Sequence, residues 1–110
     1  MEHYEVRMTH FAEDAMREIG QYITVNLQSP QAAIKIFSLL RREIKALEYL
    51  PSRFPLTEEE PWRSEGVRKM PVKNFLVYYW INEERKTVQI IHIVYAGRDQ
   101  KTQLASIPKE

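Results

Sequence analysis

The chain contains no cysteine and only three glycines, Gly20, Gly66 and Gly97. Without cysteine there is no disulfide framework, no thiolate metal site and no thiol nucleophile. Three scattered glycines do not make the Gly-rich loop that cradles a nucleotide phosphate. The only histidines, His3, His10 and His92, lie far apart. They show neither HxxxH nor HExxH spacing and no carboxylate at ligand spacing, so no metal site and no cofactor is expected. A GxSxG elbow and a defensible Ser/His/Asp arrangement are missing too. No apolar run approaches the roughly 18–20 residues that cross a bilayer. The opening stretch, MEHYEVRMTH, lacks the basic-then-apolar layout of a signal peptide. A cytoplasmic protein with no membrane partner is expected.

A large excess of one charge sign is also absent: 16 Lys and Arg against 15 Asp and Glu leave a formal charge of +1. The distribution is less even. Glu2, Glu5, Glu13, Asp14 and Glu18 precede residue 27 with only Arg7 and Arg17 against them, whereas Lys35–Lys45 and Arg68–Lys73 are basic. Such asymmetry fits an anionic partner on one side. With 44% hydrophobic and 28% charged residues over 110 positions, the chain reads as a single folded domain, 1–110, with one modest core.

Apolar and polar residues alternate over Tyr4–Met8, the pattern of a short half-buried strand. Thr9 then offers an N-cap to a helix over His10–Leu27, whose apolar face is Phe11, Ala12, Ala15, Met16, Ile19, Tyr22 and Ile23. Ser29-Pro30 starts a second helix, with Pro at the first helical position, running to about Leu50 before Pro51. Its core face would be Ala33, Ile36, Phe37, Leu40, Ile44 and Leu47. Pro51–Glu65 carries three prolines and three consecutive glutamates and reads as a long loop. Strands are expected over Val67–Met70, stopped by Pro71, then Lys73–Ile81 and Thr87–Tyr95, the last two a hairpin about Asn82–Lys86. The fold expected is α+β: an N-terminal strand, a helical hairpin, then a three-stranded antiparallel meander. The helices would pack on one face of a small antiparallel sheet and leave the other face open.

Cations sit where the strands begin and end: Arg68, Lys69, Lys73 and Arg98. Converging on one sheet edge, they would clamp a phosphate or stabilise charge in a transition state; the other reading is that they serve solubility and discourage edge pairing. His92 has a pKa suited to acid–base work, yet its apolar strand also suits a structural histidine sharing a face with Ile90 and Val94. Tyr78, Tyr79, Trp80 and Tyr95 offer rings for stacking, with alternate members buried. Phe75, Val77 and Tyr79 are the parity assigned to the core. The glutamates Glu58, Glu59 and Glu60 read as a solvated loop.

Taken in order, several segments carry a resemblance. They are the opening strand, the helical hairpin ending at Leu50-Pro51, the Pro/Arg loop, Gly66-Val67-Arg68, Asn74–Tyr79, and the Ile90–Tyr95 strand closing on Gly97-Arg98-Asp99. Together they resemble the RelE/ParE superfamily of type II toxin–antitoxin toxins. The resemblance implies a small protein that arrests growth when free and forms a hetero-oligomer with a cognate antitoxin that wraps it. ParE-like members poison DNA gyrase; RelE-like members cut ribosome-bound mRNA without a metal. RelE-like nucleases place an Arg after the aromatic opening the central strand and a Tyr or His beyond the closing arginine. Here Leu76 follows Phe75, and Thr102-Gln103-Leu104 lies beyond Arg98. The implied leading mode is therefore gyrase inhibition, with mRNA endonuclease as the alternative and an inactive binding module as a third reading. For a nuclease the catalytic set would be Arg68, Arg98, His92 and Tyr95. Arg68, Lys69, Lys73 and Arg98 would bind phosphate or target in either mode, and Trp62 and Trp80 would anchor the antitoxin.

Overall fold

The computed structural model describes residues 2–26 and 29–95. Strand β1 (Glu5–Met8) leads into helix α1 (His10–Asn26), whose first turn is closed by Thr9: its Oγ1 accepts from the Ala12 amide at 3.0 Å. Helix α2 (Pro30–Lys45) begins as its sequence dictates, with Ser29 Oγ accepting from the Ala32 amide at 3.2 Å and proline in the first turn. It ends earlier than expected. A 3₁₀ turn over Ala46–Glu48 follows, and Leu50 adopts a left-handed conformation (φ 48°) that breaks the helical path before Pro51.

The meander is β2 (Arg68–Val72), β3 (Phe75–Asn82) and β4 (Thr87–Tyr95), antiparallel as expected. Strand β1 joins it at the far side of β4 in parallel register, giving the order β1-β4-β3-β2 and a mixed sheet. Parallel pairing is available because the helical hairpin carries the chain back across the sheet between β1 and the meander. Pro71 lies inside β2 rather than ending it, opposite Leu76. The Lys69 amide donates outward to the Pro55 carbonyl, so the alternate position 71 also faces outward, where proline removes no ladder bond. Lys73-Asn74 forms the two-residue turn of the β2–β3 hairpin, with Lys73 at φ 52°, so β3 starts at Phe75.

One core lies between sheet and helices: Ala12, Met16, Ile23, Ala33, Leu40 and Ile44 meet Met70, Val77, Tyr79, Val88, Ile90 and Ile93. The helices approach closely at Gly20, where a Cβ would lie 2.3 Å from the Phe37 ring. Tyr22, assigned to the apolar face, is instead 43% exposed. A second cluster sits on the opposite face: Trp62, Val67, Leu76, Tyr78 and Val94, with Phe11 and Ile91 against it. That face is thus half covered, because the segment after Thr57 folds back on it. The Thr57 amide bonds the Val67 carbonyl at 2.9 Å, and the Val67 amide bonds that of Trp62 at 3.0 Å.

Candidate functional site

The face away from the helices is built by parity. Glu5 and Arg7 of β1, Thr87 and Gln89 of β4, and Trp80 and Asn82 of β3 lie in register across it. With Phe11, Trp62, Glu65, Val67, Arg85 and Ile91 they line an open groove of 1230 Å³. Trp80 is 41% exposed. Its indole lies against Gly66, where a Cβ would sit 3.5 Å from the ring and where φ is 86°. Charges in the groove are balanced: Arg7 pairs with Glu5 at 3.2 Å, and Arg85 and Glu65 face it as well. The groove thus combines an aromatic platform with amides and near-neutral charge, suited to a polypeptide surface rather than to a polyanion. The alternation of Glu5 and Arg7 along β1 was the available sequence signal for this lining; what it lacked was the knowledge that β1 neighbours β4.

The anticipated site residues are distributed over both faces. Arg68 stands opposite Tyr79 and Lys69 opposite Tyr78, so adjacent positions of β2 turn to different faces. One guanidinium nitrogen of Arg68 donates to the carbonyls of Phe54 (2.6 Å) and Ser52 (3.3 Å). It belongs to a clamp on the segment after α2, together with Arg53 on the Tyr49 carbonyl (2.7 Å) and the Tyr79 hydroxyl on that of Pro51. Burial pushes the Tyr79 hydroxyl up to about 12. Lys69 pairs with Glu59 at 3.8 Å, and Glu59 also receives the Thr57 hydroxyl, so this carboxylate latches the loop rather than standing in solvent. Lys73 is exposed in the β2–β3 turn, a strand's length from Arg68, roughly 15 Å away.

His92 is 8% exposed, its ring centroid 4.7 Å from that of Phe11, and its Nδ1 is buried without a hydrogen-bond partner. Burial lowers its pKa to about 4, which keeps the imidazole neutral at pH 7. It shares a face with Val94 but not with Ile90, a correction to simple alternation. The ladder slips between Tyr78 and Tyr79, leaving Ile91 as an extra residue that reverses the parity before it. Tyr95 is 42% exposed and packs edge-on to Phe75 at 5.7 Å. It lies opposite Phe75, whereas Arg68 is opposite Tyr79, about 13 Å further along β3. Trp62, expected to be an exposed anchor, is only 8% exposed because it plugs the second cluster. Arg98 lies outside the described residues.

Residues 6–100 match the family model described as the ParE toxin of the type II toxin–antitoxin system, parDE. The chain belongs to this family. Solved structures of the same fold include the chromosomal ParDE system of Pseudomonas aeruginosa. That match has a TM-score of 0.70 and 20% identity, over 86% of this chain and 98% of that one. The RelBE2 complex of Mycobacterium tuberculosis matches with a TM-score of 0.62 and 19% identity, over 86% and 93% of the two chains. A mutant of the Escherichia coli toxin RelE in its free state matches at 0.57 with 16% identity, over 92% of each. Among curated proteins, none matches the chain. At these identities the solved structures speak for the α+β fold, while the family model makes the chain a type II toxin of ParE type. Among the described residues no helix is long and apolar enough to cross a membrane.

Proposed function

We propose that this toxin arrests growth by a non-enzymatic action on DNA gyrase and is neutralised by a cognate antitoxin encoded beside it, in a cytoplasmic hetero-oligomer. The observation that carries the reading is the separation of the groups a nuclease would need. Arg68 is engaged with backbone carbonyls, His92 is buried and neutral, and Tyr95 lies on another part of the sheet. No acid–base pair is assembled from these three, whereas a groove fit for protein contact is present. An antitoxin partner is supported by the solved relatives of like fold, which include ParDE and RelBE2 assemblies. In this reading Trp80 offers an exposed aromatic anchor.

The alternative, a ribosome-dependent, metal-independent mRNA endonuclease, draws support from Tyr95, half-exposed at the same end of the sheet as Lys73. In that reading Tyr95 would carry the proton beside Lys73, with Arg68, Lys69 and Arg98 as the further phosphate-binding cations the resemblance implies. Both modes predict that Arg98→Ala weakens toxicity at equal expression. The deciding experiment is induction without antitoxin, reading mRNA integrity and the DNA-damage response in one culture. Intact mRNA with damaged or blocked chromosomal DNA is expected. Rapid mRNA cleavage would replace gyrase inhibition with the nuclease reading, and continued growth would leave an inactive binding module.

A further inference from the structure

Two rows of side chains cross three strands on the open face. Arg7, Gln89 and Trp80 form one row, and Glu5, Thr87 and Asn82 form the next. Arg7 and Glu5 pair with each other, and the Asn82 side-chain oxygen takes the Arg85 amide at 3.1 Å. Between them, the side chains of Gln89 and Thr87 have no hydrogen-bond partner among the described residues. Arg85 stands exposed in the turn beyond Asn82, and no ion pair joins its guanidinium to a described carboxylate.

Three neighbouring strands put about 10 Å between the outer two axes, and an α-helix with its side chains is about 10–12 Å across. At 1230 Å³ the groove exceeds the roughly 300–1,000 Å³ of a small-molecule site. A nucleic-acid strand needs an excess of cations along its path, whereas Arg7 is already neutralised by Glu5. Trp80 is set in place beforehand, its indole resting on the Gly66 backbone with 41% of the residue exposed. Little ordering is therefore left for a partner to impose.

We infer that this groove is the gyrase contact and receives a surface helix of gyrase that carries an apolar side chain and a carboxylate. The inference rests on the gyrase reading above and names the surface that reading uses. The apolar side chain packs on Trp80, and the carboxylate meets Arg85. Trp80 to Asn82 is about 7 Å along the strand and Arg85 lies beyond, so the two partner residues stand one to two helical turns apart. Gln89 and Thr87 bond polar side chains of the same helix. A second copy offering one of its own helices would join copies head to tail, and such contacts run on into rings or filaments. A different protein is the better occupant.

The test titrates the isolated chain against purified gyrase holoenzyme with plasmid DNA. A parallel sample carries photo-reactive benzoylphenylalanine in place of Gln89. Trp80→Ala and Arg85→Glu should each weaken gyrase binding at least about tenfold with the thermal transition retained. Lys35→Glu makes the same charge change on the exposed surface of α2 and should bind as the parent does. Should Trp80→Ala fail to fold, Arg85→Glu carries the comparison, because its side chain lies in an exposed turn. Light should link position 89 to a gyrase subunit. If the parent binds gyrase and both groove variants bind equally well, the groove assignment is overturned while the gyrase reading stands. A link from position 89 to DNA or to a second copy of the chain overturns it too. If the parent does not bind gyrase, the gyrase reading fails and the inference with it.

Discussion

His92 makes stability depend on pH in a way that can be worked out beforehand. Its imidazole is packed against Phe11 with Nδ1 unpartnered, and burial lowers its pKa from 6.5 to about 4. The unfolded chain therefore binds a proton more readily than the folded one between these values, so stability rises with pH across that window. The full contribution is present above pH 6.5 and is lost as pH falls, the loss levelling off below about 4. Linkage gives a loss of about 2 kcal/mol between pH 7 and pH 5 from this one group. For a domain of this size that corresponds to a fall in melting temperature of the order of 10 °C. Urea unfolding at pH 7, 6 and 5 measures it, with His92→Leu as the comparison, since leucine fills the site and does not titrate. The parent should lose about 2 kcal/mol more than the variant over this range. Equal slopes for the two proteins would refute the argument and mean that His92 finds a partner or water when protonated.

Tyr79→Phe leaves the buried Pro51 carbonyl without its donor and should cost about 1–2 kcal/mol in urea unfolding, with loosened exchange around Pro51. Trp62→Ala removes the plug of the second cluster and should cost about 3–5 kcal/mol; a loss under about 1 kcal/mol would mean that the loop does not seal that face. Gly66→Ala should cost about 1–2 kcal/mol through its φ of 86° alone, because the added Cβ meets Trp80 at an ordinary 3.5 Å. Lys73→Asn relieves a positive φ and should raise the melting temperature slightly. Loss of toxicity in that variant would then report the missing cation and not instability.

Much of the fold was legible because local chemistry and tertiary structure agree. Thr9 and Ser29 cap the helices they were expected to cap, and β3 and β4 pair as the antiparallel hairpin expected of them. What the sequence withheld was long-range. The side of the meander that β1 joins is decided by packing, and a single bulge at Ile91 moved His92 off the face of Ile90. The candidate site was less legible for a related reason. Arg68 looks like an anion ligand by type and position, yet its nearest needy acceptors are carbonyls left bare where α2 ends and the chain turns at Leu50. Trp62 looked like surface because its loop is polar on either side, whereas its own ring folds inward.

The pairing of β1 with β4 ties the first strand to the last, Glu5 lying beside Thr87. During synthesis the two helices can pack on each other early, but their core partners on β4, and the pairing of β1, must wait for nearly the whole described chain. Completing the sheet is therefore a late step, open only once β4 has been made. A polypeptide already present when that step occurs would meet a nascent chain whose first strand is still unpaired on both sides, so the order of synthesis of toxin and partner bears on how completely the toxin is captured.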